Sequence, residues 1–174
     1  RTYVRCDNTR GIFFLAEWIP NRLACLVGPR MYGLPYKLGA LAYRASSNQM
    51  SGRIESKTGA LSFGARWGNE PCRPAEAGTL EHFLVERYVA FTCRGKVLRR
   101  FNVAHDAWPI QAANVDLHHD KLLDESGLAG NWLADATLIS AQHSPGVRDV
   151  GISKPTRLSH KLQDRYFEKN PLMA

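Results

Sequence analysis

A lysine between apolar residues could do covalent chemistry in this chain. Lys37 lies in the segment 32–38, seven residues after Arg30. Burial or a neighbouring cation makes an amine nucleophilic at neutral pH, so a lysine here could form an imine with a carbonyl compound. The alternative is a lysine at the edge of a loop that pairs with a carboxylate.

The residue before this lysine is a tyrosine that follows a proline. The phenol of Tyr36 could donate a hydrogen bond to a carbonyl group or act as a general acid, but it cannot form an imine. An aromatic side chain that packs into the core is the alternative. Both interpretations remain open from the sequence.

A second group of polar residues follows an amphipathic helical pattern. Glu86, Arg87 and Tyr88 lie at the predicted junction between this helix and a strand. The glutamate and the arginine could orient a ligand or could form an ion pair that stabilises the fold. His105, shortly before Trp108, could be a general base or could hydrogen-bond its own loop.

Metal and cofactor signatures are absent from the sequence. His118 and His119 are adjacent, and adjacent residues on a strand point to opposite faces, so we predict no metal site. There is no phosphate-binding loop, no dinucleotide fingerprint and no nucleophile elbow, so we predict no cofactor. Arg53 and Glu55 are two residues apart, which suits a ligand site or a surface ion pair.

The pattern of apolar residues predicts a mainly β protein with a few short helices. An apolar run over 11–19 is typical of a buried central strand, and Asn21 and Thr79 are good caps for short helices over 22–27, ending at Gly28, and 79–87. Further strands are predicted over 40–46, 52–57, 60–67, 88–93, 96–104, 110–118, 132–142 and 147–153, with a loop over 69–78 and a helix or loop over 121–130. The first three of these form an antiparallel meander.

Composition places few limits on the partner. The chain has 174 residues, a net charge of +7 and a pI near 9.5, but its basic residues are scattered, so nucleic acid is not the expected partner. No stretch is apolar enough for a membrane span. Four cysteines without Cys-x-x-Cys spacing favour free thiols and a cytoplasmic location. An oligomer remains open, and the strand-like start at Thr2 predicts a missing N-terminal segment.

The segment Tyr32-Gly33-Leu34-Pro35-Tyr36-Lys37-Leu38 resembles the active-site segment of acetoacetate decarboxylases. In that family the first of two adjacent lysines forms the Schiff base and the second lowers the pKa of the first. Here Tyr36 occupies the first position and Lys37 the second. The resemblance therefore implies the decarboxylase fold without its nucleophile.

A second resemblance covers more of the chain. Leu84 to Tyr88, together with His105, Trp108-Pro109 and the stretch from His143 to Val147, is similar to the YqjF-like family of uncharacterised bacterial proteins, which is related in fold to acetoacetate decarboxylase. This implies an antiparallel closed β-barrel around a cavity over 1–157, with 158–174 as a polar tail or helix. It implies a pocket and no particular reaction.

We therefore predict a β-barrel that binds a small organic ligand bearing a carbonyl or carboxylate group. One hypothesis is a lyase-like enzyme that works without an imine, and the other is a non-catalytic binding or protein-interaction module. The candidate catalytic residues are Tyr36, Lys37, Glu86 and His105, with Glu17 or Glu86 as the carboxylate; the candidate ligand-binding residues are Arg30, Arg53, Arg87, Tyr88 and Trp108.

Overall fold

The computed structural model describes residues 1–57, 59–120, 122 and 137–158, with the backbone alone at 119 and 120. The helices are α1 (Arg22–Met31) and α2 (Leu80–Val85). The strands are β1 (Thr2–Cys6), β2 (Thr9–Phe13), β3 (Glu17–Ile19), β4 (Tyr36–Leu38), β5 (Ala40–Ala45), β6 (Gln49–Glu55), β7 (Ala60–Trp67), β8 (Arg73–Pro74), β9 (Val89–Arg94), β10 (Val97–Ala104), β11 (Pro109–Asp120), β12 (Gln142–His143), β13 (Gly151–Ile152) and β14 (Thr156–Arg157).

The first sheet has the strand order β1-β2-β9-β10-β13, and β14 also pairs with β10. The hairpin between β9 and β10 turns at Gly95, whose φ of 56° suits a residue without a side chain. The pair β2–β9 is parallel, and the other pairs of this sheet are antiparallel. The predicted strands over 88–93 and 96–104 are therefore confirmed to within one residue at each end.

Apolar side chains cover both faces of this sheet. Because side chains alternate along a strand, neighbouring residues such as Ala90 and Phe91 belong to different clusters. One cluster consists of Ile12, Leu34, Ala90 and Phe101, with Tyr32 and Tyr36 packed against it. The other consists of Phe13, Phe91 and Leu98, with Leu158 among its neighbours. The sheet is thus the buried centre of the described structure.

The second sheet contains the predicted meander. Its order is β12-β11-β7-β6-β5, with β8 paired to the start of β11, and all of its pairs are antiparallel. The predicted strand over 52–57 begins earlier, at Gln49, and ends at Glu55. The loop predicted over 69–78 contains the short strand β8.

The predicted central strand over 11–19 is divided in two. β2 ends at Phe13 and β3 begins at Glu17, where the chain leaves the first sheet and pairs in parallel with β4. The backbone N–H of Phe14 still donates to the carbonyl of Phe91. An apolar run cannot reveal such a change of partner, because both segments are largely covered.

Helix α1 is capped as the sequence predicts but runs further. The side chain of Asn21 accepts a hydrogen bond from the N–H of Ala24. The helix passes Gly28 and ends at Met31, with Tyr32 as its C-cap. The N–H groups of Tyr32 and Gly33 satisfy its last carbonyls, and Gly33 has a φ of 71°. The predicted stop at Gly28 is therefore wrong, and Gly33 ends the helix instead.

Closed barrel geometry is not found in the described part of the chain. β10 ends at Ala104 and β11 begins at Pro109, yet these consecutive strands lie in different sheets, and neither six-stranded sheet closes on itself. The chain crosses between the sheets at residues 105–108 instead of forming a hairpin there. The mainly β prediction is confirmed, whereas the sheets are open and two strand pairs are parallel.

Part of the predicted organisation lies outside the described residues. This applies to the segment predicted over 121–130 apart from residue 122, to residues 132–136 of the strand predicted over 132–142, and to the tail beyond Leu158. β12 and β13 occupy only short parts of the last two predicted strands. Within the described residues, no helix is long and apolar enough to cross a membrane.

Candidate functional site

The predicted site residues fall into two separate groups. Four of them, Glu86, Tyr88, His105 and Trp108, surround the crossover between the sheets. Tyr36 instead lies on β4, directly opposite Glu17 on β3. The two groups differ in whether their polar atoms already have partners within the protein.

Glu86 is a buried carboxylate with two hydrogen-bond donors. Its side chain is only 8% exposed; Oε1 accepts from the backbone N–H of Trp108 at 2.9 Å, and Oε2 accepts from the hydroxyl of Tyr88. This hydrogen bond, followed by burial, raises the pKa of Tyr88 above its ordinary value. Both carboxylate oxygens are therefore used to hold the crossover loop against the end of α2.

His105 is likewise engaged within its own loop. Its ring stacks on Tyr88 with 4.7 Å between ring centroids, and Nδ1 lies 2.7 Å from the carbonyl oxygen of Asp106. If Nδ1 carries the proton, Nε2 is free to accept from Nε1 of Trp108, which is 3.4 Å away. This is the arrangement of a histidine that hydrogen-bonds its loop.

Arg87 packs against aromatic rings. Its guanidinium carbon lies 4.2 Å from the ring centroid of Phe83 and 5.7 Å from that of Tyr3, and Nη1 donates to the carbonyl of Glu86. Cation–π contact and one backbone hydrogen bond therefore position this arginine. The side chains of Arg87 and Glu86 form no ion pair.

The remaining predicted residues lie apart from both groups. Arg30 donates to the carbonyl of Leu26 in the last turn of α1, and Arg53 forms an exposed ion pair with Glu55 at 2.5 Å. Lys37 lies over the ring of Trp18 at 5.6 Å. Because Lys37 pairs with Trp18 and Tyr36 with Glu17, the lysine and the tyrosine are on opposite faces of the β3–β4 pair.

Tyr36 and Glu17 form a pair of half-buried polar side chains. They are directly opposite each other on parallel strands, which lie roughly 4.8 Å apart. Burial, and then the negative charge of Glu17, raise the pKa of Tyr36. Burial also raises the pKa of Glu17, although positive charge at Arg1 opposes this.

The side-chain oxygens of Tyr36 and Glu17 form no hydrogen bond with the described residues, and they are not among the fully buried unpaired atoms, so solvent reaches them. The ring of Tyr36 is fixed from the side by α1, because a Cβ atom at Gly28 would lie only 2.5 Å from the ring. The fold therefore positions the hydroxyl and the carboxyl without including them in its own hydrogen bonds. The sequence signal for Glu17 is a lone acidic residue within an apolar run.

A separate open groove of about 280 Å³ lies between α2 and the second sheet. It has polar side chains of both charge signs but none of the predicted site residues. Its lining consists of Arg73, Pro74, Ala75, Glu76, Thr79, Glu81, Ile110, Gln111, Ala112, Ser140, Ala141 and Gln142. Among the described residues, no three His, Cys, Asp or Glu side chains are grouped as a metal site would require.

Comparison with known proteins agrees with this architecture. Residues 1–148 match the model of DUF2071, described as an uncharacterized conserved protein. The chain belongs to the DUF2071 family. It is 27% identical over 131 residues to the uncharacterized protein YqjF of Bacillus subtilis (strain 168), covering 74% of this chain and 54% of that protein. The resemblance to YqjF-like proteins is thereby confirmed.

The fold of this DUF2071 chain is similar to that of acetoacetate decarboxylase from Legionella pneumophila. The crystal structure of that enzyme matches with a TM-score of 0.61 at 16% identity, over 90% of this chain and 64% of that chain. The chain thus spans about half of the YqjF protein and less than two thirds of the decarboxylase chain. At this identity the similarity shows the fold alone.

The two hydrogen bonds to Glu86 predict a large loss of stability in Glu86→Gln. One amide oxygen cannot serve both donors, and the amide NH₂ group would face one of them, which costs about 2 kcal/mol of unfolding free energy. Urea denaturation measures this loss. Glu76→Gln, in an exposed loop, is the matched control, and a loss below about 0.5 kcal/mol in Glu86→Gln would contradict the bracing role.

The raised pKa of Glu17 predicts a pH-dependent effect of Glu17→Gln. Because the folded state favours the protonated carboxyl, protonation of Glu17 stabilises the fold. This stabilisation is complete below the unfolded pKa of about 4.3 and is lost as pH rises through the folded pKa. Glutamine mimics the protonated form, so the variant should gain stability relative to the native chain between pH 4 and neutral pH. Urea denaturation across this range measures the gain.

Glu55→Gln is the control for this pH series, because Glu55 is in an exposed ion pair on the other sheet. A difference in unfolding free energy between Glu17→Gln and the native chain that stays constant from pH 4 to neutral pH would contradict the burial of Glu17.

Proposed function

We propose that this protein binds a small carbonyl compound at Tyr36 and Glu17 and catalyses the removal of a proton next to the carbonyl group. The observation that carries the proposal is the placement of a phenol and a carboxyl side by side, half-buried and without partners among the described residues. Such groups are positioned by the fold while remaining available to a ligand.

The chemistry follows from the two functional groups. The hydroxyl of Tyr36 would donate a hydrogen bond to the carbonyl oxygen, which becomes an enolate oxygen when the α-carbon loses a proton. The carboxylate of Glu17 would accept that proton, and its raised pKa makes it a better base than an ordinary glutamate. Loss of a leaving group from the β-carbon would then complete a lyase reaction, with the proton on Glu17 returned to the solvent or to the leaving group.

This mechanism replaces imine chemistry. The segment 32–38 resembles the decarboxylase active-site segment, but Leu34 stands at an aromatic position of that segment and Tyr36 at its Schiff-base position. Lys37 cannot take over from the same place, because it lies on the opposite face of β4 over Trp18. Glu86 and His105 support the fold in this proposal and do not touch the ligand, because their polar atoms are already paired.

Helix α1 favours the alternative, a non-catalytic protein-interaction module. Its inward face carries small residues, including Gly28 against Tyr36, whereas four large apolar residues on its other side are exposed by 40–67%: Leu23, Leu26, Val27 and Met31. An exposed apolar stripe of this kind is typical of a contact surface.

If this stripe on α1 joins copies of the chain, analytical ultracentrifugation will show association, and Leu26→Asp will abolish it. A monomer at every concentration would contradict the interaction alternative.

The catalytic proposal predicts deuterium exchange at the α-carbon of a carbonyl compound. A panel of 2-oxo acids, 3-oxo acids and aldehydes is incubated with the protein in D₂O, and proton NMR follows the loss of the α-proton signal. At least one compound should exchange faster than it does without protein. Tyr36→Phe should slow this exchange on the order of 10²-fold, because one hydrogen bond to the developing oxyanion is lost.

Glu17→Gln should abolish the accelerated exchange, whereas Lys37→Ala should retain it. Borohydride treatment followed by intact-mass measurement should leave the protein without an adduct. Exchange that survives Glu17→Gln, or an adduct that disappears in Lys37→Ala, would contradict the mechanism. No accelerated exchange with any compound would overturn catalysis and leave the binding or interaction alternative.

A further inference from the structure

Three arginines share one face near the turn of the β9–β10 hairpin. Arg99 on β10 is directly opposite Thr92 on β9 and, on its other side, opposite Arg157 on β14. Arg94 is two residues after Thr92 and therefore points to the same side of the sheet. The tyrosine and glutamate of the proposed catalytic pair take no part in this cluster.

The cluster places like charges close together. Like charges directly opposite each other on neighbouring strands destabilise a sheet. Burial, and then the positive charges of Arg157 and Arg94, lower the pKa of Arg99. Within the described chain, none of the three guanidinium groups contacts a carboxylate, and Nη1 of Arg99 donates to the carbonyl of Val97 at 3.4 Å.

The side chain of Arg99 lies against the backbone at Gly33. A Cβ atom at Gly33 would lie 3.0 Å from Nη1 of Arg99 and 3.1 Å from Oγ1 of Thr92, so the guanidinium lies over this glycine. Thr92 is fully buried and donates its hydroxyl proton to the carbonyl of Tyr32. The half-buried Arg99 thus forms the floor of the cluster, and the exposed Arg94 and Arg157 form its sides.

We infer that Arg94, Arg99 and Arg157 bind a phosphate group. Guanidinium groups offer several donors in a fixed plane that match the oxygens of phosphate, and a doubly charged anion offsets more of their mutual repulsion than a single carboxylate does. The phosphate could belong to a free phosphate ester or to the backbone of a nucleic acid. The site is independent of the proposed carbonyl chemistry at Tyr36.

Titration with inorganic phosphate at constant ionic strength tests this inference. Binding is followed by ¹⁵N NMR of the arginine side chains. Phosphate should shift the signals of Arg99 and Arg157, and Arg99→Gln should weaken binding at least tenfold. Arg157→Gln, at an exposed strand end, should also weaken binding and serves as a second variant if Arg99→Gln does not fold. Arg53→Gln, which removes the same charge on the other sheet, should leave binding within twofold of the native value.

Two further arms identify the source of the phosphate. In the first arm, a short single-stranded oligonucleotide is added. If it competes with phosphate and loses affinity steeply with added salt, the site is assigned to nucleic acid. In the second arm, a phosphate monoester that binds when the oligonucleotide does not assigns the site to a free ester. Equal phosphate affinity in the native chain, Arg99→Gln and Arg157→Gln would overturn the inference. Tighter competitive binding of succinate than of phosphate would overturn it as well.

Discussion

The buried carboxylate of Glu86 is the interaction on which the arrangement of the two sheets depends. It joins the end of α2 to the loop that carries the chain from β10 to β11, through the N–H of Trp108 and the hydroxyl of Tyr88. Buried polar atoms are tolerated when they are hydrogen-bonded, and both side-chain oxygens of Glu86 accept a hydrogen bond. Consecutive strands separate at this loop. The two hydrogen bonds to Glu86 therefore hold the segment at which one sheet ends and the other begins.

Side-chain hydrogen bonding also distinguishes the polar residues that support the fold from those that solvent or a ligand can reach. Glu86 and His105 are fully used by the protein, whereas Glu17 and Tyr36 are equally well positioned but have no hydrogen-bond partner in the described structure. Solvent reaches the side-chain oxygens of Glu17 and Tyr36, whereas Glu86 is buried. The fold is similar to that of acetoacetate decarboxylase, and in our proposal Tyr36 and Glu17 take the place of imine chemistry.

Local features of the fold could be predicted from the sequence, and long-range ones could not. The caps Asn21 and Thr79 and the meander depend on short spacing patterns, and the structure confirms them. The division of the strand over 11–19, the parallel pairs and the open sheets depend on partners distant in the chain, which an apolar run does not encode. The sequence identifies Glu17 only as a candidate carboxylate, because its pairing with Tyr36 depends on the β3–β4 register.

Carbon NMR of a ¹³C-carbonyl-labelled ligand tests the central claim most directly. A 2-oxo or 3-oxo acid labelled at the keto carbon is titrated into the native chain, Tyr36→Phe and Lys37→Ala. The account predicts a bound carbonyl signal displaced downfield by hydrogen bonding, reduced in displacement in Tyr36→Phe and retained in Lys37→Ala. A bound signal that moves far upfield, as imine formation requires, or one that is unchanged in Tyr36→Phe, would contradict the account.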